Sequence, residues 1–88
     1  MTRRPTYQYF GDKGHGWLAV SRSELKRLGL IRKISRYSYQ QGGMAYLEED
    51  SDAQTFLDAK QLHDEPFRLR YYYRPISPIR NLEPYRAV

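Results

Sequence analysis

Not one of the 88 residues is cysteine. A chain this short buries only about 60–65% of the surface that its unfolded form exposes. Domains of that size often lean on disulfides or a metal, and disulfides and thiolate metal sites are closed to this one. It must form one modest core or rely on a partner. Its length also excludes the large α/β folds that carry most nucleotide-dependent chemistry. The apolar material is weighted toward one residue, with nine Tyr beside three Phe and one Trp. Hydrophobic residues make up 40% and charged residues 28%, which argues against disorder throughout.

Hydrophobic period and turn chemistry divide the chain into elements. Thr6 to Phe10 is rich in β-formers and predicts a strand. The turn-rich run from Gly11 to Gly16 leads to a second strand over Trp17 to Val20, so the pair predicts a hairpin. Ser21 and Glu24 have the spacing of a capping box, with Val20 and Leu25 as its hydrophobic staple. Leu25 and Leu28 then face inward, and Gly29 suits the end of the helix. Leu30, Ile31 and Ile34 continue at core-like spacing as a second short turn. Arg36 to Gln40 alternates with the period of a half-buried strand. Gly42-Gly43 marks a turn, and Met44 to Glu48 returns. Ser51 and Gln54 predict a second capping box. Ala53, Phe56 and Leu57 form the stripe of a helix ending near Gln61, with Lys60 and His63 at its C-terminal end.

Phe67 to Tyr73 is the last predicted strand. Phe67, Leu69, Tyr71 and Tyr73 share one face, and Arg68, Arg70, Tyr72 and Arg74 share the other. Pro75, Pro78 and Pro84 then oppose regular structure. The expectation is an α+β domain over residues 1–74, with order ββ-α-ββ-α-β, a small antiparallel sheet and two helices on one face. An extended Pro-rich tail over 75–88 follows, either free or lying in a groove. Tyr37, Tyr39, Tyr71 and Tyr73 are expected in the sheet core with polar tips outward.

The net charge of +5 hides three blocks. Residues 1–46 carry nine Lys and Arg against two acids, residues 47–66 carry seven acids against Lys60, and residues 67–88 carry five Arg against Glu83. The acids coincide with a strand end and a helix start, where they have a structural reason to be. The basic blocks lack one. Arg22, Lys26 and Arg27 fall on the first helix, and Arg68, Arg70, Tyr72 and Arg74 share a strand face. Arg beside Tyr serves protein interfaces and also single-stranded nucleic acid. The bland alternative pairs these arginines with Glu48 and Glu49 from a neighbouring strand.

Catalytic and metal chemistry find little support. The glycine run 11–16 joins strand to strand, whereas phosphate-binding glycine loops run into a helix N-terminus. His15, with Asp12 as a possible orienter, is the one candidate general base, and no nucleophile pairs with it. His15 and His63 lie far apart, and the Glu48–Asp52 acids lack EF-hand spacing. No cofactor or metal is expected. No run approaches the roughly 20 apolar residues of a membrane span. No apolar stretch follows the basic start, as a secretory signal would require. A cytoplasmic protein is the expectation.

Several runs together form a pattern: Gly14-His15-Gly16-Trp17-Leu18, Ser23-x-Leu25-x-x-Leu28-Gly29, Lys33-Ile34-Ser35-x-Tyr37-Ser38-Tyr39-Gln40, and Tyr46-Leu47-Glu48-Glu49-Asp50-x-Asp52-Ala53. The chain resembles, over about residues 9–59, a set of short uncharacterised proteins of tailed phages and proteobacteria. An echo occurs at Ser77-Pro78-Ile79-Arg80. The resemblance implies a mobile-element setting, in a bacterial cytoplasm, where small domains bind and inhibit host machinery.

The reading that results is a non-catalytic binding protein. Its expected partner is a host protein or ribonucleoprotein complex, such as a defence system. The expected contacts are Arg68, Arg70, Tyr72 and Arg74, then Arg22, Lys26 and Arg27. The alternatives are a single-stranded nucleic-acid binder using the Arg/Tyr face and an enzyme centred on His15. A homodimer through an exposed strand is also open.

Overall fold

The computed structural model describes residues 4–88. Strands β1 (Thr6–Gly11) and β2 (Gly16–Ser21) form the expected hairpin. Gly16 belongs there for a steric reason: a Cβ would collide with the Tyr9 ring and hydroxyl. The Ser21 hydroxyl accepts the Glu24 N–H at 3.1 Å and caps α1 (Arg22–Arg27). Gly29 has φ +72° and turns the chain away from that helix. One 3-10 turn spans Ile31–Lys33. Then come β3 (Tyr39–Gln41), β4 (Met44–Glu48), α2 (Asp52–Leu62) and β5 (Arg68–Tyr73).

The six-stranded sheet has the order β5-β1-β2-β4-β3-β6, where β6 is Glu83–Pro84. The all-antiparallel expectation is corrected at one edge: β5 runs parallel to β1, with Thr6 opposite Arg68 and Tyr9 opposite Tyr71. The cause is the crossover. β4 runs antiparallel to β2, and β2 antiparallel to β1, so β4 and β1 point the same way. After β4 the chain crosses one sheet face as α2 and re-enters in that same direction, as a strand–helix–strand connection does. It pairs at the far edge rather than beside β4.

Alternate residues divide the sheet into two faces. Leu18, Val20, Ala45, Leu47 and Tyr7 point toward Leu25 of α1 and Ala53 and Phe56 of α2, and together they form the core. Tyr7 meets Phe56 edge-on, with ring centroids 5.1 Å apart. Among the described residues, no α-helix covers the opposite face.

Three local expectations change. The strand expected from Arg36 starts at Tyr39. Asp52 Oδ2 accepts from the Ser35 N–H, the Ser35 hydroxyl and the Ser38 hydroxyl, at 3.0, 2.6 and 2.5 Å, and holds residues 35–38 as a turn. The second capping box does not form, since the Ser51 side chain makes no capping bond. Tyr37, Tyr71 and Tyr73 are 81%, 69% and 64% exposed rather than in the core. Tyr37 sits in that turn, and Tyr71 and Tyr73 lie on the edge strand β5.

Residues 75–88 carry more structure than prolines suggest. A 3-10 turn spans Pro78–Asn81, capped by the Ser77 hydroxyl, and β6 pairs with β3. Tyr85 is 2% exposed within the core cluster, and its hydroxyl donates to the Ile31 carbonyl at 2.6 Å. Among the described residues, no helix is long and apolar enough to cross a membrane.

Candidate binding face

The seven nominated residues meet different fates, and the cause is the geometry of the elements that carry them. Arg22 opens α1 and turns toward the tail. Its guanidinium donates to Gln40 Oε1 at 3.0 Å and the Arg86 carbonyl at 2.9 Å, and lies 5.0 Å from the centre of the Tyr85 ring. Arg27 bridges α1 to the loop after α2, with bonds to Glu24 and to both Glu65 oxygens. Both are engaged in holding the fold. Lys26 is exposed and makes no ion pair among the described residues. It lies on the helix side of the sheet, so it is not in one patch with β5.

Arg68, Arg70 and Tyr72 alternate onto the helix-free face, beside Thr6, Gln8 and Phe10 of β1. Arg74 follows, anchored by its backbone N–H to the Gly11 carbonyl at 3.1 Å. All four side chains are exposed, and the three arginines make no ion pair among the described residues. Pairing with Glu48 and Glu49 does not occur. Two strands separate β4 from β5, Glu48 accepts the Asp50 N–H, and Glu49 accepts from the Tyr9 hydroxyl. Phe10 stacks on Tyr72 with centroids 5.3 Å apart and planes 20° apart, and Tyr46 stands edge-on to Phe10 at 6.3 Å. Arginines and aromatic rings therefore share one sheet face, which the tail covers in part. Phe10 and Tyr46 were not nominated from the sequence. Strand alternation and a correct pairing order would have found them.

β5 also ends the sheet. Arg68 and Arg74 direct their N–H groups to carbonyls at Pro5 and Gly11, so the even-numbered residues bond inward to β1. Leu69, Tyr71 and Tyr73 therefore turn their N–H and C=O groups outward, where the sheet of described residues has no further strand.

The glycine loop binds its own carboxylate. Asp12 Oδ1 accepts the N–H groups of Gly14 and His15, both at 2.9 Å. Oδ2 accepts the Ser77 N–H at 3.2 Å and Arg80 Nε at 2.6 Å. The Asp12 side chain is 1% exposed. The Arg80 guanidinium holds its carboxyl far below the usual range, and these backbone N–H groups add to the effect against the penalty of burial. Arg80 also stacks over Trp17, 5.3 Å from the ring centre. His15 is exposed, with its ring 6.0 Å from that of Trp17. Asp12 thus anchors the tail and holds the His15 backbone, not its imidazole.

A second buried ionic group is Lys60, which the sequence placed at the C-terminal end of a helix. Lys60 is 2% exposed, with Nζ 3.0 Å from Glu65, 3.5 Å from Glu24 and 5.3 Å from the Tyr7 ring centre. Burial opposes its charge, but the contacts with Tyr7 and Glu65 raise its pKa above the ordinary lysine value. Among the described residues, no group of three or more His, Asp or Glu side chains is placed to hold a metal ion. Comparison with protein-family models, with curated proteins and with solved structures returns no match.

Proposed function

We propose that the protein is a non-catalytic binding module of the mobile-element kind, which occupies a surface on a host protein, free or within a ribonucleoprotein complex such as a defence system. The observation that carries this reading is the state of β5. Among the described residues it is an edge strand with unpaired outward backbone groups, three arginines free of ion pairs, and three consecutive exposed tyrosines. Tyr and Arg are the side chains that most often anchor interfaces, and an open edge accepts an added strand. The arginines select an extended partner segment with acidic side chains on the helix-free side. Asp12, the potential partner of His15, is saturated by other donors, which agrees with a binding role.

The test uses tagged protein in host lysate, with two variants. Arg68→Glu/Arg70→Glu reverses the charge. Tyr71→Pro removes an outward N–H without touching the β1 ladder. A host protein retained by the wild type and lost with both variants supports the reading. Recovery that ignores both variants sinks it.

The second reading is direct binding of single-stranded nucleic acid, favoured by Phe10, Tyr46 and Tyr72 beside Arg70 on one sheet face. It predicts oligonucleotide affinity that falls steeply with salt. Affinity that is flat across salt, or absent at low ionic strength, removes it.

A further inference from the structure

Between the helix-free face and the tail lies a cavity of about 350 Å3, lined by Phe10, Tyr46, Tyr72, Ile79, Leu82 and Arg74. Its volume falls within the roughly 300–1,000 Å3 of small-molecule sites. The lining has a direction. Phe10 and Tyr72, stacked on each other, supply an aromatic wall, and Tyr46 adds a ring edge. Ile79 and Leu82, brought by the tail, supply an aliphatic wall. An aromatic wall opposite an aliphatic one suits a planar ring, which gains by edge or face contact with aromatic side chains.

The polar groups narrow the choice. Gln41 also lines the cavity and is exposed. Its amide offers both a donor and an acceptor, the combination that reads the edge of a heterocycle. The Arg74 guanidinium makes no ion pair among the described residues, and its backbone is pinned to Gly11 at the cavity wall. A free guanidinium beside an apolar slot is a site for an oxyanion held by paired N–H donors. A simple apolar ligand would leave both groups unused.

We propose that this cavity binds one nucleoside monophosphate unit, with its base against Phe10 and Tyr72, the base edge on Gln41 and the phosphate on Arg74. The site is separate from the outward edge of β5 and does not depend on the protein partner. The unit comes either from a free mononucleotide or from a splayed nucleotide in a single strand. In the second case Arg70, next along the same face from Tyr72, lies where a neighbouring phosphate would pass.

The experiment is titration calorimetry at low salt on the whole protein. The ligands are uridine and adenosine monophosphates, with the free nucleosides, ribose 5-phosphate and 4-hydroxybenzoate as controls. At least one mononucleotide binds about tenfold or more tightly than every control, the factor expected for a charged hydrogen-bonded contact. Arg74→Gln reduces that nucleotide to the level of its nucleoside, and Gln41→Trp closes the cavity and abolishes binding. Both positions are exposed, and unchanged thermal melts establish that the variants fold. A single-stranded oligonucleotide that displaces the mononucleotide from wild type, and fails to bind Gln41→Trp, assigns the source to a strand. Failure to displace assigns it to free nucleotide. The proposal is overturned if no mononucleotide binds, if 4-hydroxybenzoate binds as well, or if either variant leaves the affinity unchanged.

Discussion

Lys60 shows how single residues settle this fold. A buried ammonium is costly unless it is paired, and here Glu65 and Glu24 lie within 3.0 and 3.5 Å. Arg27 completes the cluster by bonding both acids, and the Tyr7 hydroxyl donates to Glu24 at 2.7 Å. Removing Lys60 leaves the two carboxylates bridged by Arg27 alone. Lys60→Met is expected to cost up to about 3 kcal/mol in chemical denaturation, the lower end for breaking a buried pair, because both acids remain partly solvated. A loss below about 1 kcal/mol would show that the acids relax into water. The same cluster sets an acid limit. Hydrogen bonds from Arg27 bring the Glu24 carboxyl down to about 2, helped by the Tyr7 hydroxyl and the charge of Lys60. Glu65 falls to about 2 as well, through Arg27 and then Lys60. A folded-state pKa below the unfolded value means stability present above the unfolded pKa and lost as pH falls through the folded one. Melting temperature should therefore hold near neutrality and fall between about pH 5 and pH 2. Glu24→Gln should flatten part of that fall, and an unchanged profile would remove Glu24 from the account.

At the scale of elements, the tail is fastened at two points. Near its start, Asp12 accepts from Ser77 and Arg80. Near its end, Tyr85 enters the core and β6 pairs with β3. Tyr85→Ala should cost about 3–5 kcal/mol, the range for truncating a buried aromatic. Asp12→Asn should release Arg80 from its bidentate bond and from Trp17, the chain's one tryptophan. A changed tryptophan emission together with faster amide exchange at Ile79 and Leu82 would report that release. Unchanged emission and exchange would show that the second anchor holds the tail alone. Local chemistry made the start of the fold readable: strand alternation, the Ser21 cap and Gly29 each act within a few residues. The rest depended on distant partners. Asp52 is spent on Ser35 and Ser38 rather than on a helix start alone, which shortens β3. The prolines at 75, 78 and 84 exclude long helices and central strands, but they permit a 3-10 turn and a two-residue edge strand. The parallel direction of β5 was implicit in the strand–helix–strand order. The strand joins the edge beside β1, where Tyr7 meets both Phe56 and Phe67, a contact between distant parts of the chain. Of the face itself, alternation placed Arg68, Arg70 and Tyr72 together, while Phe10 and Tyr46 required the strand order.

At the scale of the whole molecule, the open edge of β5 raises the question of self-association, since such edges template pairing between copies. The hydrogen-bonding pattern restricts how two copies could meet. Only Leu69, Tyr71 and Tyr73 turn their backbone groups outward, so an antiparallel pair must set outward residues opposite outward residues. Even-numbered residues then also face even-numbered ones. A register centred on Leu69 sets Arg68 against Arg70, and one centred on Arg70 sets that residue against itself. Centring on Tyr71 opposes Arg68 to Arg74, and centring on Tyr72 opposes Arg70 to Arg74. Every register from Leu69 to Tyr72 places like charges directly across the ladder, which is destabilising. The same arginines would favour a strand that brings Asp or Glu to those positions. Like charges therefore disfavour these registers for a second copy, whereas a strand that brings acids to the same positions would not meet that repulsion. Sedimentation at physiological salt should find a monomer. Arg68→Glu/Arg70→Glu should promote association instead, because the carboxylates introduced at positions 68 and 70 then meet Arg74 in the registers centred on Tyr71 and Tyr72. A wild-type dimer at low salt, or a charge-reversed protein that stays monomeric at every concentration, would show that the arginines do not govern this edge.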